Sequence, residues 1–351
     1  MAELEDTVHD SKLEFPESPA RRKFLGYAFG KFLTGFGAFK YTNGQRVIGQ
    51  QNKQKNTSQP QNSGVRTSTA PVNSPLEARM DAFIKEKRAS GFLKQTDEIS
   101  VTVYDITKNN KYASINEDKK RMAASTIKDF VMLAMFHQIK SQQINYTPRI
   151  KQLLENSIQH SSNIATNNLM KFLGGPSRIQ NILATYYPFF NETKVVEYIP
   201  PQGRTYRNIT STHDLSIFYN QMWHNNLPYS AEMRRILNLP KKDRLFDGTC
   251  IPKGTRVLNK TGTVYGLVAD SGILIMKGNK GDSHPYIVNV IIEDKTKPHA
   301  RNRKGAGSWT RRRSDFIREL SEGVYDYLYK AHTGMPYQCK QHNGVHFGGR
   351  Q

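Results

Sequence analysis

Ser125 stands near the start of "MAASTIKDFVMLAMF", residues 122–136, with Lys128 three positions on. No other serine in the chain has a lysine at that spacing. Ile127, Phe130, Val131, Leu133, Ala134 and Met135 make the following helix apolar nearly all round, so it is expected to be buried. Ser125 then falls in its first turn, and positions three apart share a helix face, which points Lys128 back toward the hydroxyl. A lysine in an apolar setting is costly to keep charged. Its pKa falls, and it becomes a general base able to take the proton of a serine nucleophile. The amino end of the helix also favours negative charge developing beside Ser125. The plainer alternative is an N-cap serine and a lysine whose stem covers apolar surface while its ammonium reaches water.

Two more short motifs bear on that choice. Ser161, Ser162 and Asn163 form S-x-N between two helical segments, and Lys260, Thr261 and Gly262 form K-T-G at the end of a strand. S-x-N alone is weak, since Ser114 to Asn116 matches it too. The ordered set S-x-x-K, S-x-N, K-T-G is far more specific, and over residues 75–332 the chain resembles the class A β-lactamases and penicillin-binding proteins. "NKTGTVYGLVADSGILI" is similar to that family's K-T-G strand and the strand after it.

The resemblance implies roles. Ser125 attacks an amide carbonyl and Lys128 accepts its proton. The backbone N–H groups of Ser125 and Thr263 form an oxyanion hole. Ser161 relays a proton to the departing nitrogen. Lys260 and Thr261, with Gly262 in the same strand, hold the substrate carboxylate, and Asn163 binds the substrate's side-chain amide. The implied substrate is a small-molecule β-lactam, or the stem peptide of peptidoglycan in a D-Ala-D-Ala peptidase or slow penicillin-binding protein. No metal or organic cofactor is expected. A non-catalytic wall-binding protein that kept the fold is the rival from another class, and intact Ser125, Lys128, Ser161 and Lys260 argue against it.

Glu197 falls where the class A enzymes keep the loop glutamate that activates water for deacylation. The family pattern there is E-x-x-L-N, whereas this chain reads Glu197, Tyr198, Ile199, Pro200, Pro201. Pro201 offers no side-chain hydrogen bond to a water. Val195 and Thr210 stand where the resemblance implies an arginine and an aspartate that pin the loop. These departures weigh against fast deacylation and not against acylation. His213 and Asp214 suggest a Ser-His-Asp triad only on paper. Neighbouring helix residues point about 100° apart, so capping or core duty is expected of them.

Around these residues the chain reads as helix, strands, a helical block, strands, helix. "PLEARMDAFIKEKR" has helical spacing at Leu76, Met80, Phe83 and Ile84, and "ISVTVYDI" alternates as a half-buried strand. Residues 126–220 read mostly as helix, with Gly174, Gly175 and Pro176 stopping one segment. Strands return at "RVLNKTG", "LVADSGILIM" and "YIVNVIIED", and "DFIRELSEGVYDYLY" closes as an amphipathic helix. The expected fold is α/β in the α+β sense: an antiparallel sheet flanked by terminal helices, with an inserted all-helical subdomain.

The 351 residues carry a net charge of +21 with 37% hydrophobic content, which predicts a globular body drawn to anionic surfaces, such as a cell-wall polymer. The charge is spread along the chain and no zinc-finger or RNA-recognition pattern appears, so no specific nucleic acid is expected. Cys250 and Cys339 form no C-x-x-C pair, and one disulfide is open to them. Residues 1–41 read as an export signal of the twin-arginine kind, with Arg21 and Arg22 before Phe24, Leu25 and a glycine-rich apolar stretch. An acidic segment before it, Lys31 within it and the lack of an A-x-A site are imperfections of that reading. Residues 42–74 read as a flexible linker, 75–332 as the hydrolase domain and 333–351 as a loose tail. An exported, periplasmic or envelope-associated protein follows as the expectation. The basic stretch "KTKPHARNRKGAG" reads as a solvated loop before the last helix.

Overall fold

Ser74 opens the first helix, α1 (Pro75–Ala89): its hydroxyl accepts from Glu77 N and Pro75 sits in the first turn. The computed structural model describes residues 72–200, 207–296 and 306–337, all within the unit Pro60–Gln351. The export segment, most of the linker, Pro201, most of the basic loop, Cys339 and the end of the tail lie outside the described residues.

Five strands form one antiparallel sheet in the order β2-β1-β7-β6-β5. They are β1 (Glu98–Asp105), β2 (Asn110–Ile115), β5 (Arg256–Val264), β6 (Leu267–Lys277) and β7 (Ser283–Glu293). Both faces of this sheet are covered, which is why β6 and β7 read as long apolar runs rather than alternating ones. Val268, Leu274, Val288, Val290 and Ile292 face α1 and the last helix, α8 (Ala306–Thr333), where Phe83 stacks on Phe316 with ring centres 5.2 Å apart. Leu267, Ala269, Ile273, Ile287 and Ile291 face the other way, into the helical block.

That block lies between β2 and β5. It comprises α2 (Ile127–Lys140), α3 (Pro148–Ile158), α4 (Asn163–Phe172), α5 (Pro176–Tyr186), α6 (Thr212–Trp223) and α7 (Ser230–Leu237). α2 runs through its centre with Phe130 against Phe190 and Phe218. The inserted segment is not wholly helical. β3 (Arg121–Met122) pairs antiparallel with β4 (Ile209–Thr210), and strands of two residues leave no periodicity for sequence reading to find. α8 also begins at Ala306, well before the "DFIREL" segment, and α7 went unread. Cys250 is disulfide-bonded. Among the described residues no helix is long and apolar enough to cross a membrane.

Candidate active site

The ribbon strand β3 delivers the chain to a tight turn. Ala123 N donates to Asn208 O at 2.9 Å, Ala124 adopts φ +45°, and Ala124–Thr126 form one turn of 3₁₀ helix before α2 begins at Ile127. A left-handed alanine costs energy that the surroundings must hold in place. Thr126 Oγ1 closes the turn onto Ala123 O at 2.6 Å. Ser125 therefore precedes α2 and does not cap it. The cap position is Thr126, which makes no side-chain capping bond. Ser125 is half-buried, and among the described residues its hydroxyl has no hydrogen-bond partner.

Lys128 is fully buried, and its Nζ lies 2.6 Å from Ser161 O, 3.1 Å from Ser161 Oγ and 2.9 Å from Asn163 Oδ1. Its hydrogen bonds run to Ser161 and Asn163 and not to Ser125. The reason is Ser161, held at φ +53° between α3 and α4, which turns both its carbonyl and its hydroxyl toward the lysine. Ser162 caps α4 through Ala165 N, setting Asn163 at the first helical position. Burial pushes the Lys128 amine down to about 6, with the charge of Lys260 adding to the effect. As the neutral amine it has two N–H bonds for Ser161 O and Asn163 Oδ1, and a lone pair that can accept from Ser161 Oγ.

Lys260 approaches the same hydroxyl from the sheet, with Nζ 3.1 Å from Ser161 Oγ and 2.8 Å from Thr261 O. Burial lowers its pKa to about 8, against the opposing pull of Asp129. Asp129 lies buried next to Lys128 and accepts from Tyr219 Oη at 2.8 Å, with burial raising its own pKa to about 7. The K-T-G residues lie on β5, the edge strand, pressed against the Ser125 turn. A Cβ on Gly262 would stand 3.3 Å from each of Ala123 O, Ala124 Cβ and Thr126 Cγ2. Thr263, exposed beyond it, accepts from Arg244 Nη2 at 2.7 Å. Arg244 is braced by Ser314 Oγ at 2.8 Å, and its backbone N–H donates to Asp270 Oδ2 at 2.6 Å. Sequence reading missed it, because no local pattern ties an arginine before β5 to a threonine near its end.

The Glu197 segment is tied to the nucleophile turn by one asparagine that sequence reading also missed. Asn208 Oδ1 accepts from Val196 N at 2.8 Å and Glu197 N at 3.1 Å, its Nδ2 donates to Glu197 O at 3.1 Å, and its own carbonyl holds Ala123. Asn167 clamps Ile199 through both N–H and C=O. The Glu197 carboxylate is half-buried and accepts from Arg207 N at 3.0 Å. Asp214 braces the same loop, accepting from Asn191 N, Glu192 N, Thr193 N and Thr193 Oγ1, while its own N–H is capped by Ser211. Its duty is structural, and it forms no triad with His213.

Hydrogen bonds thus join Lys128, Ser161, Asn163 and Lys260, and the close approach at Gly262 brings β5 against the turn that carries Ser125. A half-buried serine three residues before a buried amine, with a second lysine on a shared serine, supplies the kinds of group that nucleophilic attack and proton relay need. The model of the "Beta-lactamase enzyme family" matches residues 83–151 and 142–328. No curated protein sequence matches. Among solved structures, PBP-A is similar at 18% identity over 73% of this chain and 96% of its own, with TM-score 0.58. The chromosome-encoded β-lactamase of Vibrio parahaemolyticus is similar at 16% identity over 72% and 98%, with TM-score 0.56. An ancestral class A β-lactamase is similar at 18% over 72% and 99%, with TM-score 0.55. The fold is theirs, and with the family model spanning more than half of the chain, the chain belongs to the β-lactamase enzyme family.

Proposed function

We propose that the protein is a serine hydrolase that opens a β-lactam or similar amide through an acyl-serine intermediate. Lys128, neutral near pH 7, takes the Ser125 proton as Oγ attacks the carbonyl carbon. The N–H groups of Ser125 and Thr263 receive the oxyanion. Ser161 passes a proton to the leaving nitrogen and is resupplied by the lysines bonded to it. Lys260, Thr261 and Arg244 draw the substrate's carboxylate to the β5 edge, and Asn163 takes its amide. The observation that carries this reading is the buried Lys128 amine, held to Ser161 and Asn163 with its pKa pushed down to about 6. A PBP-A variant has been solved as an acyl-enzyme complex with penicillin G, and the same chemistry is proposed here for Ser125.

The experiment is incubation with a fluorescent penicillin and separation on a denaturing gel. Wild type is expected to be labelled and Ser125→Ala not. Equal labelling of a folded Ser125→Ala protein overturns the mechanism. A chromogenic cephalosporin then separates turnover from a single acylation. One observation favours a slow, penicillin-binding type of enzyme as the second reading: the Glu197 carboxylate is engaged by Arg207 N. The enzyme is further proposed to act in the cell envelope, on the strength of Arg21 and Arg22 before an apolar segment. Replacing both with lysine is expected to retain the protein in the cytoplasm, and unchanged export in fractionation would exclude the pair as a signal.

A further inference from the structure

We propose that Glu117, Asp118 and His213 form a binding site for a divalent first-row metal, with Zn²⁺ the best match. The proposal is independent of the hydrolase reading. Glu117 and Asp118 lie in the connection from β2 to β3, and His213 in the first turn of α6. One donor atom from each lies within 4.8 Å of the others. His213 Nδ1 is 2.8 Å from Asp118 Oδ1 and 3.7 Å from Glu117 Oε1. Ligands each about 2.1 Å from a tetrahedral ion stand about 3.4 Å apart, so one cation fits among these atoms with small adjustments.

The protein's own hydrogen bonds leave this place unsatisfied. His213 is 4% exposed and Glu117 1%. His213 Nδ1 has the Asp118 carboxylate beside it at 2.8 Å, and Nε2 is buried without a hydrogen-bond partner. Glu117 Oε2 is likewise buried and unpartnered, while Oε1 takes Lys111 Nζ at 2.6 Å. Each such orphan costs about 1–3 kcal/mol if nothing fills it. A cation bound by Nδ1, a Glu117 oxygen and an Asp118 oxygen would give the buried carboxylate and imidazole a common partner. Lys111 on Oε1 is then an outer-shell contact that orients the carboxylate. The Glu117 carbonyl accepts from His213 N at 3.1 Å and Thr212 Oγ1 at 3.3 Å, fixing the two ligand segments to each other.

Charge and access point the same way. In a chain of net charge +21, a cavity of about 550 Å³ is lined by Glu77, Asp81, Glu117 and Asp118 with Lys119 as its one basic residue. Through Glu117 and Asp118 the cluster borders this cavity. One imidazole with two carboxylates suits Zn²⁺ better than Mg²⁺ or Ca²⁺, which prefer all-oxygen sets. No local sequence pattern points to this metal site, because His213 stands 95 or more positions from the two carboxylates. A bound ion would clamp α6 to the segment leading into β3.

The test uses the full chain, stripped with chelator and dialysed, then titrated with Zn²⁺ or Mg²⁺ by calorimetry and followed by thermal unfolding. One tight Zn²⁺ site is expected, with a rise in Tm of about 5–10 °C at a hundredfold excess over Kd, and no rise with Mg²⁺. His213→Gln should abolish it. Asp118→Asn, at a partly exposed position where folding is not at stake, should weaken Zn²⁺ binding at least about tenfold. No tight site in the wild type, or undiminished binding in Asp118→Asn, overturns the proposal; the latter places the ion elsewhere among the ten histidines.

Discussion

Lys128 and Lys260 share one hydrogen-bond partner, each with its Nζ 3.1 Å from Ser161 Oγ. They are not equivalent there. Lys128 comes from the apolar helix α2 and is pushed down to about 6 by burial, with Lys260 adding to the effect. Lys260 comes from the sheet edge and stands at about 8, where the buried charge of Asp129 opposes the burial that lowers it. Around neutral pH one is a base and the other a cation, and a hydroxyl between them can receive a proton on one side and pass it on.

That difference predicts a bell-shaped pH profile for acylation. Below about pH 6 Lys128 is protonated and cannot accept the Ser125 proton. Above about pH 8 Lys260 loses its charge and the substrate carboxylate loses its partner. The second-order rate of penicillin acylation, measured from pH 4.5 to 10, should fall about tenfold per unit outside those limits. A rate that stays level from pH 7 down to pH 5 would remove Lys128 as the base.

Asp129→Asn should move one limb of that bell and leave the other. Asp129 titrates at about 7, so it is charged where Lys260 deprotonates, and its loss favours the neutral form of Lys260. The alkaline limb should shift to lower pH while the acid limb stays. The amide can still accept from Tyr219, which protects the packing. A uniform drop in rate at every pH, with both limbs in place, would make Asp129 a packing residue only.

Much of this was legible because the motifs are short and the periodicity around them is strong. Ile127 to Met135 announce a buried helix, and K-T-G ends an alternating strand. What could not be read is where a side chain turns once the backbone leaves the regular regions. Helix spacing sets Lys128 on the side of Ser125, yet the helix starts two residues after the serine and the hydrogen bonds of the lysine go to left-handed Ser161. Nothing in the sequence singles out Asp129; the approach of Tyr219 and Lys260 gives it its role. Asn208 and Arg244 join segments through contacts that no local pattern encodes.

Gly262→Ala tests the contact between strand and turn. Its Cβ would stand 3.3 Å from Ala123 O, Ala124 Cβ and Thr126 Cγ2, so the turn holding Ser125 must give by a few tenths of an ångström. The cost in stability should stay within about 1–3 kcal/mol. Acylation should slow about tenfold, because nucleophile and oxyanion donors are displaced relative to each other. Unchanged acylation would show that β5 does not set the Ser125 geometry.

Glu197 should govern release of the acyl group and not its formation. By resemblance it occupies the place of the water-activating carboxylate, yet its carboxylate already accepts from Arg207 N at 3.0 Å, and Pro201 cannot help to hold a water. A well-placed base is typically worth 10²–10⁴-fold, and a carboxylate so engaged should deliver only part of that. Deacylation is therefore expected to be slow in the wild type. Glu197→Gln keeps an acceptor for Arg207 N, so the loop should hold and acylation should proceed at a similar rate. The adduct, followed by intact-mass spectrometry after removal of free penicillin, should persist at least about tenfold longer in the variant. If wild type and variant lose the adduct at the same rate, Glu197 is not the base, and the protein functions as a penicillin-binding enzyme rather than as a β-lactamase.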